Sequence, residues 1–317
     1  MIGLGTYAFF WQHSDRVDAP LSLVGAFEAT TELGVELFQI CDYAPLLAMS
    51  EVELRDAATA ARRLGLTIEL GTKGIEPDHL ARFLRLAETF DAALVRSMVS
   101  APESHPTLPE ADRMLRVALP AFESAGVTLA LETYEQVATA DLIDLVRSVD
   151  SEHLGICLDP ANVVARLEHP AVCVGVTAPW VKNVHAKDFA FARQDGWVGF
   201  TYSGTPMGEG LHDYAHLRET VDPGRRGINE IVEHWLPWQG DPRTTVNTEP
   251  RTLPDATPSA SLAVCTSCTV VRPSRVTRAA GAGAPTPGEE GAATVLRLEL
   301  RVVFVPVGLG ALDDLLR

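Results

Sequence analysis

Eight short, apolar, β-prone runs alternate with amphipathic helical stretches from residue 2 to about residue 238, and this alternation restricts the fold more than any other feature. The runs are IGLGTY, VELFQIC, LTIELGT, ALVRSM, VTLALE, LGICLD, WVKNVHAKD and INEIVEHW. Most are apolar almost throughout, as strands covered on both faces must be. Between them, residues 21–34 carry apolar positions at helical spacing and end on Gly34, a residue suited to the left-handed turn that closes a helix. Residues 50–65 repeat the plan: Ser50 stands at the N-cap, Glu53 follows three positions later, and Gly65 ends the stretch. Segments 78–90, 114–126 and 140–149 follow the same logic.

Eight strands alternating with helices predict a parallel sheet closed into an α/β (β/α)8 TIM barrel, and 317 residues suit one such barrel. An open doubly wound sheet is the competing architecture. It calls for a glycine-rich phosphate loop after the first strand, and GLGTYAFFW lacks that pattern. The seventh strand-to-helix connection, residues 189–210, is long and rich in aromatics and glycine, which predicts a loop over the catalytic face. After residue 250 the character changes. Residues 251–317 are rich in Ala, Thr, Pro, Gly and Ser and contain no Lys. The expected division is therefore a barrel over 1–250 and an irregular C-terminal tail over 251–317, either a disordered extension or the product of an altered reading frame, with no candidate for the last barrel helix.

The net charge of −16 disfavours a nucleic-acid partner, since an acidic surface repels a phosphate backbone. No apolar run approaches the roughly 20 residues of a membrane span, and the first residues lack a basic leader, so the expected location is cytoplasmic. Five cysteines in a chain this long do not suggest a disulfide framework. Cys41 and Cys157 lie in apolar runs and read as buried; Cys265 and Cys268 form a lone CxxC, a weak signal for metal.

Catalytic side chains of such barrels sit at the C-terminal ends of strands. Strands five to eight end at Glu132, Asp159, His185 and Glu233. Neighbouring strands are about 4.8 Å apart, so four such side chains can converge on one point. Three carboxylates and an imidazole suit one divalent ion, with Mn²⁺ expected first and Mg²⁺, Co²⁺ or Zn²⁺ as alternatives. Without a cation, the three carboxylates would repel one another and take up protons.

The pieces GICLDPAN, NVHAKDF, GTPMGEG and IVEHW resemble the sugar phosphate isomerase/epimerase superfamily with the xylose isomerase-like barrel, over residues 1–240. The resemblance implies that Glu132, Asp159, His185 and Glu233 are metal ligands, that Glu132 and Glu233 are also the acid/base pair, and that Lys187 is catalytic through the HxKD pattern. Around them, Tyr7, Trp11, Gln39, Asp42, Lys73, Asn162 and Glu209 are the expected substrate contacts. The implied reaction is isomerisation or epimerisation of a keto-sugar through a metal-stabilised enediolate. Asn162 and Tyr134 stand where ketose 3-epimerases often carry His. The motifs are similar instead to a branch that includes 3-oxo-isoapionate decarboxylase and C-glycoside deglycosidase catalytic subunits. That makes a lyase on a 3-oxo sugar derivative the alternative; an inactive barrel is the third reading, and an abasic-site endonuclease the least favoured. A sugar-like small molecule is the expected partner, with a homo-oligomer or a small partner subunit also allowed.

Overall fold

The structure is a computed structural model and describes residues 1–14, 17–193, 200–233, 270–273 and 300–303. Within it, the eight predicted runs form eight parallel strands: β1 (Ile2–Gly5), β2 (Leu37–Cys41), β3 (Thr67–Gly71), β4 (Leu94–Ser97), β5 (Thr128–Glu132), β6 (Leu154–Leu158), β7 (Val181–Ala186) and, after two further strands, β10 (Asn229–Val232). They close into a barrel in the order β1-β10-β7-β6-β5-β4-β3-β2. Closure comes from β1 pairing with β2 on one side and β10 on the other, with Gly5 opposite Gln39 and Leu4 opposite Val232.

The outer layer holds α1 (Leu23–Glu32), α2 (Glu51–Arg63), α3 (Pro77–Phe90), α4 (Leu108–Ala125), α5 (Thr139–Val149), α6 (Pro170–Thr177), α7 (Tyr214–Val221) and α8 (Pro223–Arg226). The Ser50 capping box forms as its spacing predicts: the Glu53 amide donates to Ser50 Oγ, and the Ser50 amide donates to Glu53 Oε2 at 2.7 Å. Thr107 and Glu110 build the same device at the start of α4. The main apolar core lies between helices and strands, where Phe27, Phe38, Ile68, Leu80, Leu115 and Leu129 are buried. The inside of the barrel is different. Gln39, Glu69, Arg96, Glu132, Asn183, His185 and Glu233 are all buried and polar. Burying so many polar groups costs free energy unless they satisfy one another, and that requirement shapes the site.

The long seventh connection contains β8 (Phe189–Arg193) and β9 (Phe200–Gly204), two strands that its loop-like composition does not announce. Among the described residues, 191–193, 200–203, 270–273 and 300–303 belong to a second compact unit. In it, β9 pairs antiparallel with β11 (Val270–Pro273), and β11 with β12 (Leu300–Val303). The expected boundary at 250, the missing last helix, Cys265 and Cys268 lie outside the described residues.

Candidate metal centre

Glu132 ends β5, His185 lies near the end of β7, and Asp159 and Glu233 directly follow β6 and β10. Each offers one ligand atom, and the four atoms lie within 4.8 Å of one another, all on buried residues. His185 turns Nδ1 toward the carboxylates, 3.4 Å from Glu132 Oε1 and 3.2 Å from Glu233 Oε2. His185 Nδ1, Glu132 Oε2 and Asp159 Oδ2 are all buried within the cluster, and the only partners they meet there are charged groups. Three carboxylates and an imidazole, buried together with one ligand atom each converging within 4.8 Å, form a donor set of the kind that holds a cation. The donor set therefore fits a divalent metal.

Two cations of the protein share the cluster. Arg96, on β4, is fully buried; its Nε lies 2.6 Å from Glu132 Oε2 and its Nη2 3.3 Å from Glu233 Oε1. A third nitrogen, Nη1, donates to the Thr72 carbonyl at 3.1 Å. Lys187 Nζ lies 2.8 Å from Asp159 Oδ2 and 2.9 Å from Glu233 Oε2, and donates to Asn162 Oδ1 at 3.3 Å. These charges decide the titration of the site. Burial pushes the Glu132 carboxyl up, but Arg96 and His185 outweigh it and hold the group below its usual range. Burial is outweighed again at Glu233, held well down by His185, Lys187 and Arg96. At Asp159 burial prevails over Lys187, and the group is raised.

The remaining expected site residues fall in distinct places. Asn162 donates from Nδ2 to Glu132 Oε1 at 2.8 Å, so it bridges a ligand carboxylate and Lys187. Tyr7 lies beyond β1 in a 3₁₀ turn over Thr6–Phe9; burial and the charges of Asp42 and Glu233 push its phenol well up. Trp11 is buried, with its ring edge-on to Phe10 at 5.0 Å. Asp42 and Lys73 pair with each other at 3.3 Å, Lys73 being 39% exposed. Gln39 is buried inside the barrel, with its amide engaged by Glu69 at 3.2 Å and His185 at 3.0 Å. Glu209 stays exposed, on a turn fastened by buried Asp188, whose carboxylate accepts from the amides of Phe189, Gly208, Gly210 and His212 at 2.8–3.0 Å.

Several residues escape sequence reasoning. Arg96 and Glu69 sit mid-strand in apolar runs, and a charged residue in such a run is the signal that would have found them. Glu69 accepts from the side-chain amides of Gln39, Asn183 and Asn229, at 3.2, 2.9 and 2.7 Å. Burial pushes its carboxyl up, and those three amides oppose the push. Glu135, in the loop after β5, is a further case. Burial raises its carboxyl to about 7, with Tyr134 bonded to it and the charges of Glu132 and Lys187 acting in opposite directions.

The family model of the xylose isomerase-like TIM barrel matches residues 27–255. This chain belongs to that family. It is 51% identical over 248 residues to the 3-oxo-isoapionate decarboxylase of Pectobacterium atrosepticum, covering 78% of this chain and 90% of the relative. Among solved structures it is similar to a xylose isomerase-like TIM barrel protein from Mycobacterium smegmatis in complex with magnesium, with a TM-score of 0.61 at 20% identity over 74% of this chain and 90% of that one. A D-psicose 3-epimerase from Clostridium cellulolyticum H10 gives a TM-score of 0.56 at 14% identity over 77% and 88% of the two chains. Among the described residues no helix is long and apolar enough to cross a membrane.

Proposed function

We propose that this carbohydrate-acting enzyme of the xylose isomerase-like family is a divalent-metal-dependent lyase that removes CO₂ from a 3-oxo sugar acid. The observation that carries the reading is its 51% identity to a 3-oxo-isoapionate decarboxylase over 90% of that protein's length. The donor set supports it, since three carboxylates and one imidazole suit Mn²⁺ first and Mg²⁺, Co²⁺ or Zn²⁺ next. The isomerase or epimerase reading shares the ligand set but rests on likeness of fold alone.

A bound divalent cation supplies Lewis-acid polarisation of the substrate ketone. The bond between the carboxyl carbon and its neighbour breaks, its electron pair enters the ketone to leave an enolate, CO₂ departs, and an acid of the protein returns a proton to that carbon. Lys187 stays charged, because Asp159, Glu233 and Glu132 outweigh its burial, and its ammonium offsets the growing negative charge. Arg96, paired with Glu132 and Glu233, helps hold both carboxyls below their usual range and so keeps them available as ligands. Glu135, whose carboxyl burial raises to about 7, is assigned to give the proton. Lys73 at the rim is assigned to the substrate carboxylate, with Tyr7 and Asp42 beside it.

The test is incubation with a 3-oxo aldonic acid and Mn²⁺ in D₂O. CO₂ release with one deuterium on the carbon that lost it is the expected result. Deuterium exchange into a ketose without CO₂ would replace this reading with the isomerase one.

A further inference from the structure

Below the metal centre, a row of side chains crosses the barrel interior and has no role in the chemistry above. Gln39 and Glu69 are paired neighbours on β2 and β3, and Asn183 lies two residues before His185 on β7. Glu69 is buried, and the amide nitrogens of Gln39, Asn183 and Asn229 all converge on its two oxygens. The opposite end of the Gln39 amide, Oε1, lies 3.0 Å from His185 Nε2. His185 Nδ1 faces Glu132 and Glu233, 3.4 and 3.2 Å from their oxygens.

From this chain of contacts we infer that Glu69 is a positioning residue, which sets the tautomer of His185 by fixing which way the Gln39 amide points. Three amide donors converge on the two Glu69 oxygens, which therefore act as acceptors, whereas a primary amide has one donating and one accepting end. The Gln39 NH₂ must therefore face Glu69, and its oxygen must face His185. An amide oxygen can only accept, so Nε2 carries the imidazole proton. Nδ1, on the side of Glu132 and Glu233, is then the nitrogen that would ligate a metal.

The opposite setting is as well defined. A flipped Gln39 would put its oxygen against a carboxylate oxygen and its NH₂ against Nε2. The proton would then move to Nδ1, the nitrogen that must bind metal. Asn183 and Asn229 complete the lock, because they occupy the rest of the Glu69 oxygens with donors and leave them nothing to donate to. The Cys157 thiol, 3.5 Å from Asn183 Oδ1, holds that amide in the same sense. A ligand histidine is commonly oriented by a group on its other nitrogen; here the orienting group is an amide with no preference of its own, and the preference comes from the carboxylate behind it.

The inference rests on the proposed metal site and not on the proposed substrate. Its test is Mn²⁺ affinity of the full chain, measured for wild type, Glu69→Gln, Gln39→Leu and the double variant. Glu69→Gln is isosteric and frees the Gln39 amide to flip, and a 10- to 100-fold loss of affinity is expected, as for other groups behind a metal ligand. Gln39→Leu should lose a similar factor, and the double variant no more than Gln39→Leu alone, because Glu69 acts through Gln39. Losses that multiply in the double variant, or a Glu69→Gln affinity within about twofold of wild type, would overturn the relay and leave the metal site standing. Absence of Mn²⁺ binding by the wild type would overturn both. A second measurement needs no variant: in ¹⁵N-histidine spectra of the Zn²⁺-loaded wild type, His185 should show Nε2 protonated and Nδ1 metal-bound, and ligation through Nε2 would overturn the inference.

Discussion

Arg96 Nε lies 2.6 Å from Glu132 Oε2, with each side chain only 1% exposed. The same guanidinium reaches Glu233 across the barrel, so one buried cation braces two ligand carboxylates and leaves the other Glu233 oxygen to Lys187. Its five donors in a rigid plane make it the residue suited to two carboxylates and a carbonyl at once.

Replacing Arg96 by Met would leave Glu132 and Glu233 as buried like charges with less compensation. Breaking a buried pair in this way costs about 3–5 kcal/mol. The metal-free variant should therefore unfold at markedly lower urea concentration than wild type. Added Mn²⁺ should recover part of the loss and stabilise the variant more than it stabilises wild type, because the ion supplies the missing positive charge. Equal stabilisation of both proteins by Mn²⁺ would contradict that account. Arg96→Lys should fall between them, keeping the charge without the planar fork.

Glu132→Gln and His185→Ala each remove one donor from a cluster whose ligand atoms lie within 4.8 Å. Either change should reduce bound metal, on the order of 100-fold in affinity, since even groups behind a ligand cost 10- to 100-fold. Elemental analysis after dialysis against dilute Mn²⁺ reads this directly. Metal content unchanged in both variants would show that the cluster is not the metal site.

Much of this architecture is legible in the residues, and what is not has a physical cause. The strands announce themselves because burial on both faces demands apolar runs, and the four cluster residues are visible because they stand at strand ends. The Ser50 cap is legible because it is a local device spanning four residues. Arg96 and Glu69 are not, because their partners are on strands far away in sequence, and only closure of the barrel brings them together. Gln39 looks like a rim residue for a similar reason: its position on β2 is evident, but its engagement by Glu69 and His185 depends on register across the interior. The strands within 189–204 are hidden by glycine and polar residues, which signal a loop when read without the pairing that β9 makes with β11.

Glu135 offers a pH dependence with a definite sign. Its carboxyl is raised to about 7, so the acid form predominates below that pH and is lost as pH rises through it. If this group returns the proton, kcat should decline on the alkaline side of neutrality. A bound dication favours the ionised carboxylate and should move the decline to somewhat lower pH. Glu135→Gln should cost on the order of 100-fold in kcat and abolish that limb, with little change in metal content. A wild-type kcat that stays level from about pH 6 to about pH 9 would remove Glu135 from the role.

Asp188 and Gly210 make the last prediction, which concerns stability rather than chemistry. Asp188 is 1% exposed and accepts four backbone amides, three of them from the turn that carries Glu209. Asn at this position keeps the shape but turns an NH₂ toward amides that can only donate. Hydrogen bonds to a charged acceptor are worth about 1.5–3 kcal/mol, and leaving a buried donor unmatched costs about 1–3 kcal/mol. Asp188→Asn should therefore destabilise the barrel by about 2–4 kcal/mol. Gly210→Ala reaches the same turn by another route. An added Cβ would collide with the Asp188 carboxylate and with the Phe189 carbonyl, and the carbonyl belongs to the backbone and cannot swing aside. Both variants should unfold at lower urea concentration and show faster amide exchange at Gly208, Gly210 and His212, while Glu209→Ala, exposed on the same turn, should leave exchange there unchanged. Wild-type exchange rates in Asp188→Asn would mean that the turn is held by something other than this carboxylate.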